Sequence, residues 1–287
     1  MRVVMNADDF GKSDDINEAV RLAYQHGLLT SASLMVNGEA AGGAIALAKE
    51  NPGLAVGLHL VLTGGRASLP PERIPHLVDP DGFFKSGPLS SGLRFYFDTR
   101  ARKELTREIQ AQFERFSATG LPLSHVDGHL HMHLHPMVFK ILLPLAEQYD
   151  ARGIRIPRDD FGLAIRYDRK RLGTKLAWAI TFGLLSRWGS SHLRNSDLVQ
   201  VNRVYGLLQS GNMEEAYVLK IVREMQDPTA EIYFHPTTGV RTHEFGSNQG
   251  DLASLLSPAV RRALEERLIR VTTYPDLLVK SPCSSPC

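Results

Sequence analysis

RVVMNADDFGKSDDINEAVRLAYQHGLLTSASLMV, residues 2–36, decides the fold. RVVMNA (2–7) reads as a buried strand. Residues 14–26 read as a helix, with Ile16, Ala19, Val20 and Ala23 on one face, and SASLMV (31–36) is a second strand. A strand, an amphipathic helix and a second apolar strand in close succession make a βαβ unit, which implies parallel pairing. The rhythm continues outward. Further strands are expected at 54–62, 123–127, 153–157, 230–235 and 268–273, with helices at 39–50, 101–118, 136–149 and 258–267. About seven parallel strands predict an α/β fold of the barrel or doubly wound kind. Two segments break the rhythm: 63–98, rich in Gly, Pro and Ser, reads as a long loop, and 160–212 as a basic helical insertion. The 287 residues are expected to form a single catalytic domain over 1–287.

Composition narrows the classes. Apolar residues make up 43% and charged residues 22%, which excludes a disordered or fibrous chain. The net charge of +2 argues against a design for nucleic acid. Cys283 and Cys287 both lie in the terminal KSPCSSPC, so no disulfide framework and no thiol catalysis are expected. No secretory leader is read at the N-terminus, and the longest apolar stretch, Leu176 to Leu185, is too short to span a bilayer. A cytoplasmic protein is expected. Neither GxGxxG after the first strand nor a P-loop is present, which disfavours dinucleotides and nucleoside triphosphates.

In parallel α/β folds the ligand crevice lies at the C-terminal ends of the strands. The polar residues there are Asp8 and Asp9, His59, His125, Asp127 and His129, Arg155, and His235. Each alone has a plainer reading: an Asp pair before a helix can cap it, and a histidine in an apolar strand is commonly a hydrogen-bonded core residue. Five histidines fall at odd positions from 125 to 135, but Gly128 ends the extended stretch, so His131, His133 and His135 read as supporting or surface residues. Together, a carboxylate pair and histidines from several strand ends supply the mixed donors that hold a divalent metal with open positions. The second carboxylate is then free to act on a water bound there.

NADDFG (6–11), TSASLMVNG (30–38), VGLHLVLT (56–63), HVDGHxH (125–131) and YFHP (233–236) resemble the YdjC-like carbohydrate deacetylase family. LPPERIPHLVDPDGFF (69–84) and ATGLPLSHV (118–126) resemble its hopanoid biosynthesis-associated branch, whose members deacetylate an N-acetylglucosaminyl hopanoid. The resemblance implies a distorted (β/α) barrel and one divalent metal ion, zinc or magnesium, on Asp9, His59 and His129. It makes Asp8 the general base and His235 the general acid, with Arg155 orienting the catalytic aspartate. His125 and Asp127 would orient His129 or its loop. The implied partner is an N-acetylglucosaminyl lipid or oligosaccharide, and a homodimer is hinted at.

From Arg166 to Arg194 there are seven basic residues and one acidic, with both tryptophans, Trp178 and Trp188. The segment reads either as a helix with a solvated basic edge or as a peripheral contact with the inner membrane surface. Competing functions are a deacetylase of soluble chitooligosaccharides, a non-haem iron oxygenase built on His125-x-Asp127, and a non-catalytic glycolipid-binding protein.

Overall fold

A computed structural model describes residues 1–85, 87–241 and 246–278; Cys283 and Cys287 lie outside them. Among the described residues eight parallel strands form one sheet: β1 (Arg2–Phe10), β2 (Ser31–Leu34), β3 (Ala55–Leu60), β4 (His125–Gly128), β5 (Gly153–Ile154), β6 (Arg203–Tyr205), β7 (Thr229–Phe234) and β8 (Arg270–Thr272). The order is β5-β4-β3-β2-β1-β7-β6, with β8 beside β1. The helices are α1 (Asp14–His26), α2 (Ala41–Glu50), α3 (Pro88–Phe97), α4 (Thr99–Ala118), α5 (Pro136–Gln148), α6 (Phe161–Tyr167), α7 (Leu172–His192), α8 (Glu215–Glu224), α9 (Gln249–Leu255), α10 (Pro258–Glu266) and α11 (Tyr274–Leu278).

β1 occupies the centre, and from Val3 to Phe10 every residue is buried, as a strand covered on both faces requires. Its first half pairs with β7 on one side and β8 on the other; its second half exchanges β8 for β2. The outer strands curl toward each other. Ile154 N–H donates to Val199 O at 2.9 Å and Val199 N–H to Arg152 O at 3.0 Å, four residues before β6 begins. The result is the expected distorted β/α barrel, with the helices packed outside.

Local chemistry sets the helix starts. Ser13 caps α1 by accepting from Ile16 N–H, and Ile16, Ala19, Val20 and Ala23 face the core as expected. Asp98 caps α4 through Arg100 and Ala101 N–H. Two expectations change. Within 63–98, read as a long loop, Pro88–Phe97 is a helix, started by proline in its first turn. Within 160–212, read as helical, Arg203–Tyr205 is strand β6, an eighth strand whose Val204 and Tyr205 fill the edge beside β7. Among the described residues no helix is long and apolar enough to cross a membrane.

Candidate metal and catalytic site

β1 carries both aspartates to one mouth of the barrel. Alternation along a strand would aim Asp8 and Asp9 to opposite sides, but Asp9 has φ 64° and the β1–β2 register shifts between Ala7 and Phe10. That left-handed turn, favoured for Asp and Asn over most other residues, lets both carboxylates serve one crevice. Asp9 Oδ1 lies 3.0 Å from His129 Nδ1 and 3.4 Å from His59 Nε2, while Oδ2 accepts from Lys12 Nζ at 2.8 Å. Burial acts to raise the Asp9 pKa, yet His129 and Lys12 outweigh it and hold the carboxyl well below the usual range.

His59 comes from the end of β3 and is buried. Its Nδ1 bonds Asp127 Oδ1 at 2.8 Å. Its Nε2 points at Asp9 with no hydrogen-bond partner. Burial lowers the imidazole pKa, but the Asp127 carboxylate overrides it, and the pKa is pushed up to about 10. His129 opens an irregular 3₁₀ segment, His129–Leu134, straight after β4. Burial brings its pKa down against the pull of Asp9, which favours the neutral imidazole that ligates metals.

Among the described residues, two groups have donor atoms close enough to share an ion: Asp9, His59 and His129, or Asp8, His59 and Asp127. The second fits poorly, because its carboxylates are already engaged by a guanidinium. The first fits a divalent ion. It pairs one carboxylate with two imidazoles, and it would satisfy the orphaned, buried Nε2 of His59.

Arg155, just past β5 and fully buried, ties the rest together. It meets Asp8 with two bonds of 2.7 Å, Asp127 in an ion pair at 2.8 Å, and Glu231 Oε1 through Nε at 3.0 Å and Nη2 at 2.6 Å. Its guanidinium carbon lies 4.5 Å from the Tyr233 ring centroid. Three carboxylates on one buried cation explain its strongly raised pKa: desolvation opposes the charge, and Asp127, Asp8 and Glu231 overcome it. His235 follows β7, and its Nε2 stands 3.9 Å from Asp8 Oδ2. Asp251 anchors that turn, accepting the backbone N–H of His235 at 2.8 Å and of Met213 at 3.0 Å.

The structure thus gathers Asp8, Asp9, His59, His129, Arg155 and His235. It changes the supporting cast. Asp127 orients His59 rather than His129. His125 is buried away from His129, its Nε2 3.0 Å from Ser33 Oγ and its ring stacked on Tyr274 at 4.9 Å. His133 is fully buried, with Nε2 2.9 Å from Arg155 O, so it is no surface residue. His131 Nε2 meets Tyr233 Oη at 3.0 Å. Sequence reasoning missed Glu231, Tyr274 and Lys12. Tyr274 Oη donates to Glu231 Oε2 at 2.6 Å. Glu231 had a visible mark, a lone acid inside the apolar strand AEIYFH.

A family model for YdjC-like proteins matches residues 2–266. A carbohydrate deacetylase of Brevibacillus brevis is 33% identical over 283 residues, covering 96% of this chain and 100% of that protein. A chitooligosaccharide deacetylase of an Enterobacter species is 32% identical over 285 residues, covering 96% of this chain and 98% of that protein. A carbohydrate deacetylase of Geobacillus stearothermophilus is 44% identical over 147 residues, 51% of this chain and 56% of that protein. Among solved structures, a candidate cellobiose-phosphate cleavage protein of Enterococcus faecalis superposes with a TM-score of 0.72 at 22% identity, over 96% of this chain and 98% of that one. That likeness concerns the fold.

Proposed function

Since the chain belongs to the YdjC-like protein family, we propose that it is a carbohydrate N-deacetylase that hydrolyses the acetamide of an N-acetylglucosamine unit. The observation that carries this reading is the placing of Asp8 and His235, a base and an acid, beside the convergent donors Asp9, His59 and His129. A divalent ion held by those three residues would polarise the acetyl carbonyl and acidify a water beside it.

The chain's own residues do the rest. Arg155 fixes the Asp8 carboxylate from behind with two bonds, so that it is held in one orientation. Asp8 takes the proton of the attacking water as its oxygen bonds to the acetyl carbon. His235, across from Asp8, gives a proton to the sugar nitrogen as the C–N bond breaks. Acetate and a free amino sugar leave, with atoms balanced by one water. Asp127 holds the His59 ring through Nδ1 and so aims Nε2 into the site. No side-chain nucleophile is called for.

For the substrate, we read the sugar as lipid-borne, an N-acetylglucosaminyl hopanoid, in keeping with the motifs at 69–84 and 118–126. The runner-up is a soluble chitooligosaccharide, favoured by the full-length similarity to the Enterobacter relative. Incubation with N-acetylglucosaminyl hopanoid beside chitobiose, with acetate measured from each, decides between them. Release from neither would refute the deacetylase reading.

A further inference from the structure

We propose that α3, Leu130 and α7 form an apolar rim around the site mouth that docks on an anionic lipid surface. The inference deepens the lipid-borne reading of the substrate and rests on it for its purpose, but its observations are separate.

Both helices pack against the segment that follows His129. The buried face of α3 rests on His135, with the Phe95 and His135 rings 5.9 Å apart. α7 packs Phe182 against His131 at 5.4 Å, and its Gly189 leaves room for Phe139 and Ile156. The opposite faces are bare. Leu89, Leu93, Tyr96 and Phe97 on α3, and Leu172, Leu176, Ile180 and Leu184 on α7, are between 46% and 80% exposed. The α7 residues recur every fourth position, which makes a continuous stripe on a helix. Leu130 joins them, half-exposed, on a backbone held at φ 50° beside the metal-site histidine. Contiguous exposed apolar surface of this kind marks an interaction site.

Charge identifies the occupant. Residues 85–103 hold five basic residues and one acidic; residues 166–194 hold seven and one. The rest of the chain holds 21 basic and 29 acidic residues, so the cations gather where the apolar stripes are. A second copy docking across a two-fold axis would set these basic segments against themselves. Nucleic acid would leave the leucines without a partner. An anionic bilayer meets both features, with apolar side chains entering the interface and cations at the headgroups. The structure also corrects which groups take part. Trp188 packs on Phe139 at 5.4 Å and Trp178 against the cluster of Ala164, Leu207 and Leu208, so aliphatic side chains rather than tryptophans enter. Lys175 is buried on Asp168, and Arg166 pairs with Glu224, which leaves the docking charge to neighbours such as Arg169, Lys170 and Arg187.

The test uses the full-length, metal-loaded protein in flotation with phosphatidylcholine vesicles, with and without phosphatidylglycerol. The protein should float with the anionic vesicles, less so as salt rises. Leu176→Ser/Ile180→Ser/Leu184→Ser, and separately Leu93→Ser/Phe97→Ser, should weaken partitioning at least about tenfold. Leu268→Ser, an equally bare leucine ahead of β8, should not. Acetate release from soluble chitobiose by the same variants reports that the fold and site are intact. Absence of wild-type binding, or binding indifferent to both sets of substitutions, overturns the proposal. So does a dimer in light scattering that the substitutions dissociate. Chitobiose turnover without vesicle binding would leave the deacetylase standing and the rim refuted; vesicle binding without acetate from any substrate would do the reverse.

Discussion

Replacing Asp8 with Asn separates chemistry from scaffolding at this site. The carboxylate accepts two 2.7 Å bonds from Arg155 and one of 2.9 Å from Asn6 Nδ2. Asn keeps the shape and one acceptor oxygen, so one charge-assisted bond is lost and an N–H faces the guanidinium. That costs about 1.5–3 kcal/mol. Arg155 is not stranded, because Asp127 and Glu231 still flank it. For a chain of this size the loss corresponds to a fall in Tm of about 2–5 °C. Turnover should fall much further, by about 10²–10⁴-fold for a missing general base, or roughly 3–5.5 kcal/mol at 1.36 kcal/mol per decade. The metal should stay, since its donors belong to Asp9, His59 and His129. The assay is acetate release at a temperature well below the variant's Tm, with metal content by elemental analysis on the same sample. Loss of the metal with activity, or turnover within tenfold of wild type, would refute the assignment of Asp8 as the base.

His59→Ala should lower bound metal by elemental analysis while circular dichroism stays native; undiminished metal would remove His59 from the ligand set. His235→Gln should slow amide hydrolysis by about 10²-fold or more and slow p-nitrophenyl acetate far less, because that leaving group needs no proton; equal losses would deny His235 the acid role. Acid stability follows from burial. His125 and His133 have pKa values brought down to about 4 by desolvation, against 6.5 in the unfolded chain. Their folded forms are neutral, so this contribution is complete above pH 6.5 and is lost as pH falls toward 4. The urea midpoint should drop across that window, and His133→Gln should flatten the drop; an unchanged slope would show that His133 is not the group responsible.

Legibility tracked how local the determining physics is. The strands that open each βα unit were readable because their apolar runs and caps are contiguous in sequence. Asp8, Asp9, His59, Arg155 and His235 were readable because a polar residue at the end of a buried strand is conspicuous. β6 was not: Arg203–Tyr205 is too short for periodicity to declare, and pairing with β7 decides its state. Which histidine Asp127 would hold was equally hidden, since His59 Nδ1 reaches it from a neighbouring strand 68 residues away. The alternation of odd-numbered histidines ends at Gly128 as read, but whether the later rings support the site or face solvent was hidden, because Leu130 and His131 take left-handed backbone angles there. Glu231 went unread because its partner, Arg155, is distant in sequence and only the curl of the sheet brings them together.

The central place of β1 bears on how the protein is born. Arg2–Ala7 are synthesised long before the segments they pair with, Thr229–Phe234 and, over Arg2–Val4, Arg270–Thr272. At about 5–20 residues per second, translation takes roughly 10–50 s to supply the β7 partner. Until then this buried strand can pair only on its β2 side, with its other edge open. Such separation between partners slows folding and lengthens exposure to aggregation. Asp8 and Asp9 ride on that strand, and Arg155 gains Glu231 only when β7 docks. β1 therefore depends on protection for most of the synthesis, and a truncation before residue 229 would lose His235, Glu231 and the β7 edge of β1 together.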